Sequence, residues 1–348
     1  VSAPQGPLSR APRKGGFLIG CDGVASGGST ASQWSCCQFC CCLASGRPDW
    51  APPVAASSPR QNSGLQTMSG SDGFGASGGG EPITEEEALR RLRLTDDPSA
   101  QYYAAWWLGR NRSRHPDAVS LLQEALRQRR PRDPGAGVEE NAVARNAARA
   151  LGKLGSHAAP AIPDLLATLE DDDHGLREAA ARALGDLRAE AAVEALCRRL
   201  ASGPAVAGAM QPGTPRLQEP CEALLEALGE IGVAEAEVLA VIHPFVEHER
   251  PLIRSAACRA LLQLTSEPHW GQQLVALLQH QQLQVRRAAL MDLGAAGWRP
   301  ALEPIAATLA ENSLKLIALR GLVENSAKRA SARTAASSSA DHALNDAT

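Results

Sequence analysis

From Glu81 to about Lys328 the apolar positions recur at helical spacing instead of alternating, and the residues between them are mostly Ala, Glu and Arg with few β-branched side chains. That pattern predicts helix almost throughout. The stretch APAIPDLLATLED carries one amphipathic helix, DDHG turns, and LREAAARALGDL carries a second. Such pairs recur. Aligning Leu-Gly steps gives AAWWLGRN, AARALGKLG, AARALGDL, ALLEALGEIG and AALMDLGAAG, with ACRALLQLT lacking the glycine; the aligned leucines are Leu108, Leu151, Leu184, Leu228, Leu261 and Leu293.

The repeat is near 33 residues, lengthened by about ten in two places, RQRRPRDPGAGVEEN and SGPAVAGAMQPGTPRLQEP, both read as loops because they are rich in Pro and Gly. One helix pair cannot bury its own apolar face, so the expected fold is all-α: a right-handed α-solenoid of about six HEAT-like helix pairs, with ENSLKLIALRGLVEN as a shortened final unit. Residues 1–80 lack periodicity and are expected to be a disordered extension, residues 81–327 the repeat domain, and residues 328–348 a disordered tail. Because the chain opens on Val1 and its first Met is Met68, the expected native start is Met68.

A net charge of -3 excludes nucleic acid or an anionic membrane as a bulk partner, and no segment is apolar enough over about 18 residues to span a bilayer. The expected location is cytoplasmic. Six of the nine cysteines fall in the first 67 residues, where Cys37 and Cys40 have CxxC spacing, but no second pair completes a tetrahedral set, so no metal is expected. No GxSxG, phosphate-binding glycine loop or HExxH occurs, and His248-Glu249 is a lone His-Glu step. Histidines at turns, such as His174 and His280, read as solvated or capping groups.

The candidate chemistry lies in QYYAAWWLGRN, which holds four of the chain's twelve aromatic residues. In the repeat register Tyr103 and Trp107 align with packing positions that are mostly Ala, so they are expected to seal the end of the core. Tyr102 and Trp106 align instead with a polar stripe: Arg145 and Arg149, Glu178 and Arg182, Glu222 and Glu226, Ser255 and Arg259, Arg287 and Met291. Residues four apart share a helix face, and the second helix of a HEAT pair generally lines the concave surface. Guanidinium forks and rings in that surface suit an anionic, planar ligand or a protein partner; a solvated face of intra-helix ion pairs such as Glu178 with Arg182 is the plain alternative.

The segments QYYAAWWLGRNR, ARNAARALGKLG, LIRSAACRALLQLT, VRRAALMDLGAAGW and LAENSLKLIALRGL resemble the E-type subunits of the heterodimeric phycocyanin α-subunit phycocyanobilin lyases, over about Ile83 to Glu324. The resemblance implies a HEAT partner of the F type, and addition of a cysteine thiol of apo-phycocyanin α to the A-ring ethylidene of phycocyanobilin or an isomeric bilin. It assigns no catalytic residue. Tyr102 and Trp106 become candidates to wall the bilin, Arg145, Arg149, Arg182 and Arg259 to meet its propionates, and Asp292, Glu178 or Glu222 its pyrrole N–H groups. Arg286, Arg287, Asn312 and Lys315 become candidates to face a partner. A non-catalytic HEAT chaperone for phycobiliproteins, or a protein that detaches bilin during phycobilisome turnover, stays open beside the lyase.

Overall fold

The computed structural model describes residues 83–130, 141–214 and 216–345. The expected extension over residues 1–80 with its cysteines and start at Met68, and most of the first insertion, lie outside them. Helices pair off along the chain: α1 (Glu85–Leu92) with α2 (Pro98–Asn111), α3 (Pro116–Arg127) with α4 (Ala142–Lys153), and α5 (Ile162–Leu169) with α6 (His174–Asp186). Next come α7 (Val193–Leu200), the short α8 (Pro204–Ala207) in the second insertion, and α9 (Cys221–Ile231). The series ends with α10 (Ala236–Ile242) and α11 (Pro251–Thr265), α12 (Pro268–Leu277) and α13 (Leu283–Ala296), then α14 (Leu302–Ala307) and α15 (Asn312–Asn345). Their starts are written locally. Thr84, Asp97 and Asp173 accept N-terminal N–H groups, and prolines open α2, α3, α11 and α12, where a missing N–H costs nothing.

The second helices, α2, α4, α6, α9, α11, α13 and α15, pack one against the next into a single layer, and the first helices form the other. The six aligned leucines lie between the layers, none more than 1% exposed. The Leu-Gly step now has a geometric reason. A Cβ on Gly109, Gly152, Gly185 or Gly229 would stand 2.8, 2.8, 2.9 and 2.8 Å from the Cα of Ala150, Ala183, Ala227 and Ala260, each one unit further on. Glycine on alanine lets the second helices, the inner layer of a HEAT pair, approach more closely than larger side chains would allow. Gly185→Leu should therefore cost about 1–3 kcal/mol, read as a melting point lower by about 4–10 °C; an unchanged melt would refute the contact.

The register also explains Trp107. It stands at the alanine position, but no earlier unit offers a glycine to it, so a large ring fits and packs against the core. Tyr103 borders an open hollow with Arg90, Arg91, Leu94 and Asp97. The rule fails once, between α11 and α13, where Leu262 replaces the glycine and Asp292 the alanine. A wider junction results, and polar side chains occupy it.

The second insertion is not loose. The buried Arg177 donates to the carbonyls of Asp171, Asp172 and Gln218 at 2.9, 3.1 and 2.7 Å and pairs with Glu219. Helix α15 continues to Asn345, through residues expected to be disordered, because that stretch is Ala-rich and holds neither Pro nor Gly. Among the described residues no helix is long and apolar enough to cross a membrane.

Candidate ligand-binding surface

Along the inner layer the polar stripe divides into two electrostatic zones. Its N-terminal zone combines rings and cations. Tyr102 is half-buried; its ring meets Tyr103 edge-on at 6.4 Å, and its carbonyl accepts a hydrogen bond from Asn146 Nδ2 at 2.7 Å. Trp106 is half-buried too, with the Arg110 guanidinium 5.3 Å above its ring. On the adjoining helix Arg149 is half-buried and, among the described residues, makes no ion pair. The Lys153 stem runs beside Gly109, and burial, reinforced by the charges of Arg149, Arg110 and Arg112 against the pull of Asp186, pushes its ammonium below the usual lysine value. Cations crowd there.

The second zone is neutralised from within. Arg182 pairs with Glu178 at 3.4 Å and with Glu226; Glu226 reaches Arg259 at 3.7 Å. Arg259, whose side chain is 13% exposed, also binds Glu230 at 2.6 Å and Asp292 at 3.4 Å, and the Ser255 hydroxyl donates to Asp292 at 2.5 Å. Burial pushes the Asp292 carboxyl up, to about 6, against the Arg259 charge that holds it down. Charges on four successive inner helices therefore alternate in sign along one line.

The candidates separate on this map. Tyr102 and Trp106 share a face of α2, and Arg149 stands on the adjoining α4. Arg145 is only 12% exposed and is bound to Asp173, the residue that caps α6, while Arg182 and Arg259 are matched by carboxylates of the chain itself. Glu178 and Glu222 are half-buried on the stripe; Asp292 is buried beneath it. At the far end Arg287 pairs with Glu311, Arg286 donates to the carbonyls of Leu309, His280 and Gln281 at 2.9, 2.7 and 2.8 Å, and Lys315 donates to Ala306 at 3.0 Å, leaving Asn312 exposed. Arg110 and Lys153 escaped the sequence reading because both stand outside the two aligned columns; their i+4 distance from Trp106 and Arg149 was the available signal. His280, His248 and His115 cap following N–H groups, as expected of turn histidines. His174 differs: burial lowers it to about 4.

Among the described residues no His, Cys, Asp or Glu cluster fits a metal, and Cys197, Cys221 and Cys258 are free thiols. Two stacked layers of paired helices, with rings and cations at one end of the inner layer, define a HEAT-repeat protein. Matching family models agree on the fold: HEAT repeats over residues 136–208, and the PBS lyase HEAT-like repeat over residues 100–128 and 285–311. The chain is 51% identical over 245 residues to the bilin biosynthesis protein RpcE of Synechococcus sp. WH8020, covering 70% of this chain and 91% of that one. It is 45% identical over 266 residues to the phycocyanobilin lyase subunit alpha of Nostoc sp. PCC 7120, covering 76% and 92%. A solved complex of CpcE and CpcF of phycocyanin lyase from the same organism matches at 44% identity with a TM-score of 0.64, over 73% of this chain and 92% of that one. The chain belongs to the family of phycocyanobilin lyase alpha subunits.

Proposed function

We infer that this chain is the E-type subunit of a heterodimeric phycobilin lyase. With an F-type partner it joins phycocyanobilin, or an isomeric bilin, to a cysteine of apo-phycocyanin α. The carrying observation is identity near one half, over 245 and 266 residues, to a bilin biosynthesis protein and a phycocyanobilin lyase subunit alpha, covering more than nine-tenths of those chains.

The chemistry asked of the pair is an addition. The acceptor's sulfur bonds to the exocyclic ethylidene carbon, the thiol proton ends on the ring system, and no group leaves. Because the nucleophile arrives with the acceptor, this subunit supplies no reacting side chain. Its task is to hold a flexible tetrapyrrole in one conformer and keep water away from the addition. Trp106 and Tyr102 wall the conjugated plane, and Arg149 with Lys153 meets the propionates. Free thiols in the described chain suit a cytoplasmic protein.

The test combines the full chain with CpcF, apo-phycocyanin α and phycocyanobilin. A fluorescent adduct that survives acid denaturation is expected. Its absence beside a working lyase control would overturn the reading, and release of bilin from the holo-protein would assign detachment instead.

A further inference from the structure

The repeat register also fixes where each inner helix ends. The glycine-on-alanine contacts fall at the same level of successive inner helices, so their C-terminal ends lie along one rim. Four residues after the aligned leucine the backbone turns left-handed, at Arg112, Gly155, Arg188, Gly232 and Gly297, with φ of 50, 64, 51, 90 and 64°. In the unit without the Leu-Gly step Ser266 takes this conformation one residue later, at 59°. Glycine enters that region freely and arginine does not. Arg112 and Arg188 are nevertheless there, both exposed, and neither makes an ion pair among the described residues. Arg114, two residues beyond Arg112, is exposed and unpaired in the same way.

Helix dipoles do not account for these arginines. Each turn on the rim joins the C-terminus of an inner helix to the N-terminus of an outer one, so it accommodates either sign of charge. The signs are nonetheless sorted. The first three turns carry Arg110, Arg112, Arg114, Lys153 and Arg188 against exposed Asp186 and Glu190. Two further carboxylates are engaged within the chain, Glu85 by the Ser113 hydroxyl at 2.5 Å and Asp117 by Arg93 at 3.0 Å. Arg110 and Arg112 stand near enough to Lys153 for their charges to help depress its ammonium. The fourth and fifth turns carry exposed Glu235, Glu237 and Glu267 and neither arginine nor lysine. On a chain of net charge -3 the basic stretch is therefore local, and at two points it is kept against the preference of the backbone.

We propose that this basic stretch of the rim, centred on Arg112, Arg114 and Arg188, is the docking surface for apo-phycocyanin α, which meets it through a carboxylate-bearing face. The proposal rests on the lyase reading for the identity of the acceptor. The rim runs into the ring and cation zone, since Arg110 lies over Trp106 and the Lys153 stem lies beside Gly109. A protein seated there brings its cysteine to the end of the groove where the bilin is walled, which is the placement the addition needs. Exposed, unpaired arginines suit that task. They speed encounter with an acidic surface and orient it, and they add little to the affinity of the finished complex, so a substrate that must leave is not retained.

The test variant combines Arg112→Gly, Arg114→Ser and Arg188→Gly in the full chain, paired with CpcF. Glycine suits both left-handed turns, so the variant should melt no earlier than the wild type. With phycocyanobilin saturating, the initial rate of adduct formation is followed against apo-phycocyanin α at about 50 and about 300 mM NaCl, which brackets strong and weak screening. Expected at low salt is a KM for the acceptor raised about tenfold with kcat within about twofold, and a wild-type KM that climbs with salt toward that of the variant. The bilin concentration at half-saturation and the CpcF complex on size-exclusion chromatography should not change. An unchanged acceptor KM at both salt concentrations would overturn the proposal. So would a shifted bilin half-saturation at unchanged KM, which assigns the arginines to the propionates, or loss of the CpcF complex, which assigns them to that subunit. If the wild type forms no adduct, the lyase reading falls separately. The affinity of labelled apo-phycocyanin α for the two complexes, read by fluorescence anisotropy, then decides the docking: a loss of about tenfold supports it and equal affinities sink it. Should the triple variant melt early, Arg114→Glu alone, raising KM at least about threefold, replaces it and is judged by the same outcomes.

Discussion

Arg259→Leu should be the most damaging single substitution in the inner layer, destabilising the fold by about 3–5 kcal/mol. The guanidinium is largely shielded from solvent and in contact with Glu226, Glu230 and Asp292. Removing it leaves three carboxylates without the cation that joins them, with Arg182 beside Glu226 and Arg188 near Glu230 as partial compensation. Leucine fills part of the volume, so the cost is electrostatic and has a pH signature. In the wild type Asp292 already sits at about 6, above its ordinary value of 3.8. Without Arg259 the folded-state value of Asp292 rises further, and that of Glu230, which the Arg259 charge helps to hold down, rises as well. An acid raised in the folded state destabilises at pH above its folded value, and that penalty disappears as pH falls toward the unfolded value. The deficit of Arg259→Leu should therefore be widest at pH 8 and narrow steadily below pH 6. Urea titrations at pH 8, 7, 6 and 5 check it, and a deficit that stays constant or widens toward pH 5 would refute the account.

That network marks the limit of what the sequence could deliver. The repeat register was legible because the aligned leucines and the Leu-Gly step recur in nearly every unit, and the helix pairs follow it through α15. The stripe was legible as a set of positions, since i and i+4 on a helix share a face. Which charge meets which was not. Arg182 finds Glu226 across 44 residues, and Arg259 finds Asp292 across 33, through a junction widened by Leu262, whose departure from glycine was visible but had no evident consequence. The acceptors of Arg286 and Lys315 were illegible for a related reason: both donate to backbone carbonyls, and no side-chain pattern announces such acceptors. Asn146 falls outside its column in the same way. It stands among alanines because its amide reaches the Tyr102 carbonyl and ties the first unit to the second.

The second large effect is expected at the ring and cation zone. Trp106→Ala should weaken bilin capture by about 2 kcal/mol, roughly 30-fold, because it removes both the stacking surface and its burial. Arg149→Ala should cost a similar amount through a lost charge-assisted hydrogen bond, about 1.5–3 kcal/mol. Neither should unfold the protein, since both side chains are half-buried at the rim and Arg149 holds no internal carboxylate. Trp106 does carry Arg110 over its ring, so alanine also releases a guanidinium that can bind ligand in its place. Trp106→Phe separates the effects: it keeps a face for Arg110 with less area for a tetrapyrrole, and should fall between wild type and alanine. If both residues hold the same bound bilin, the double variant should lose less than the two single losses added. The readout is the bilin concentration giving half-maximal adduct with CpcF and apo-phycocyanin α in excess, beside the melting curve of each variant. Unchanged half-saturation in both single variants would remove this zone from the bilin site, and a lower plateau at unchanged half-saturation would place its role in the addition step instead of in capture.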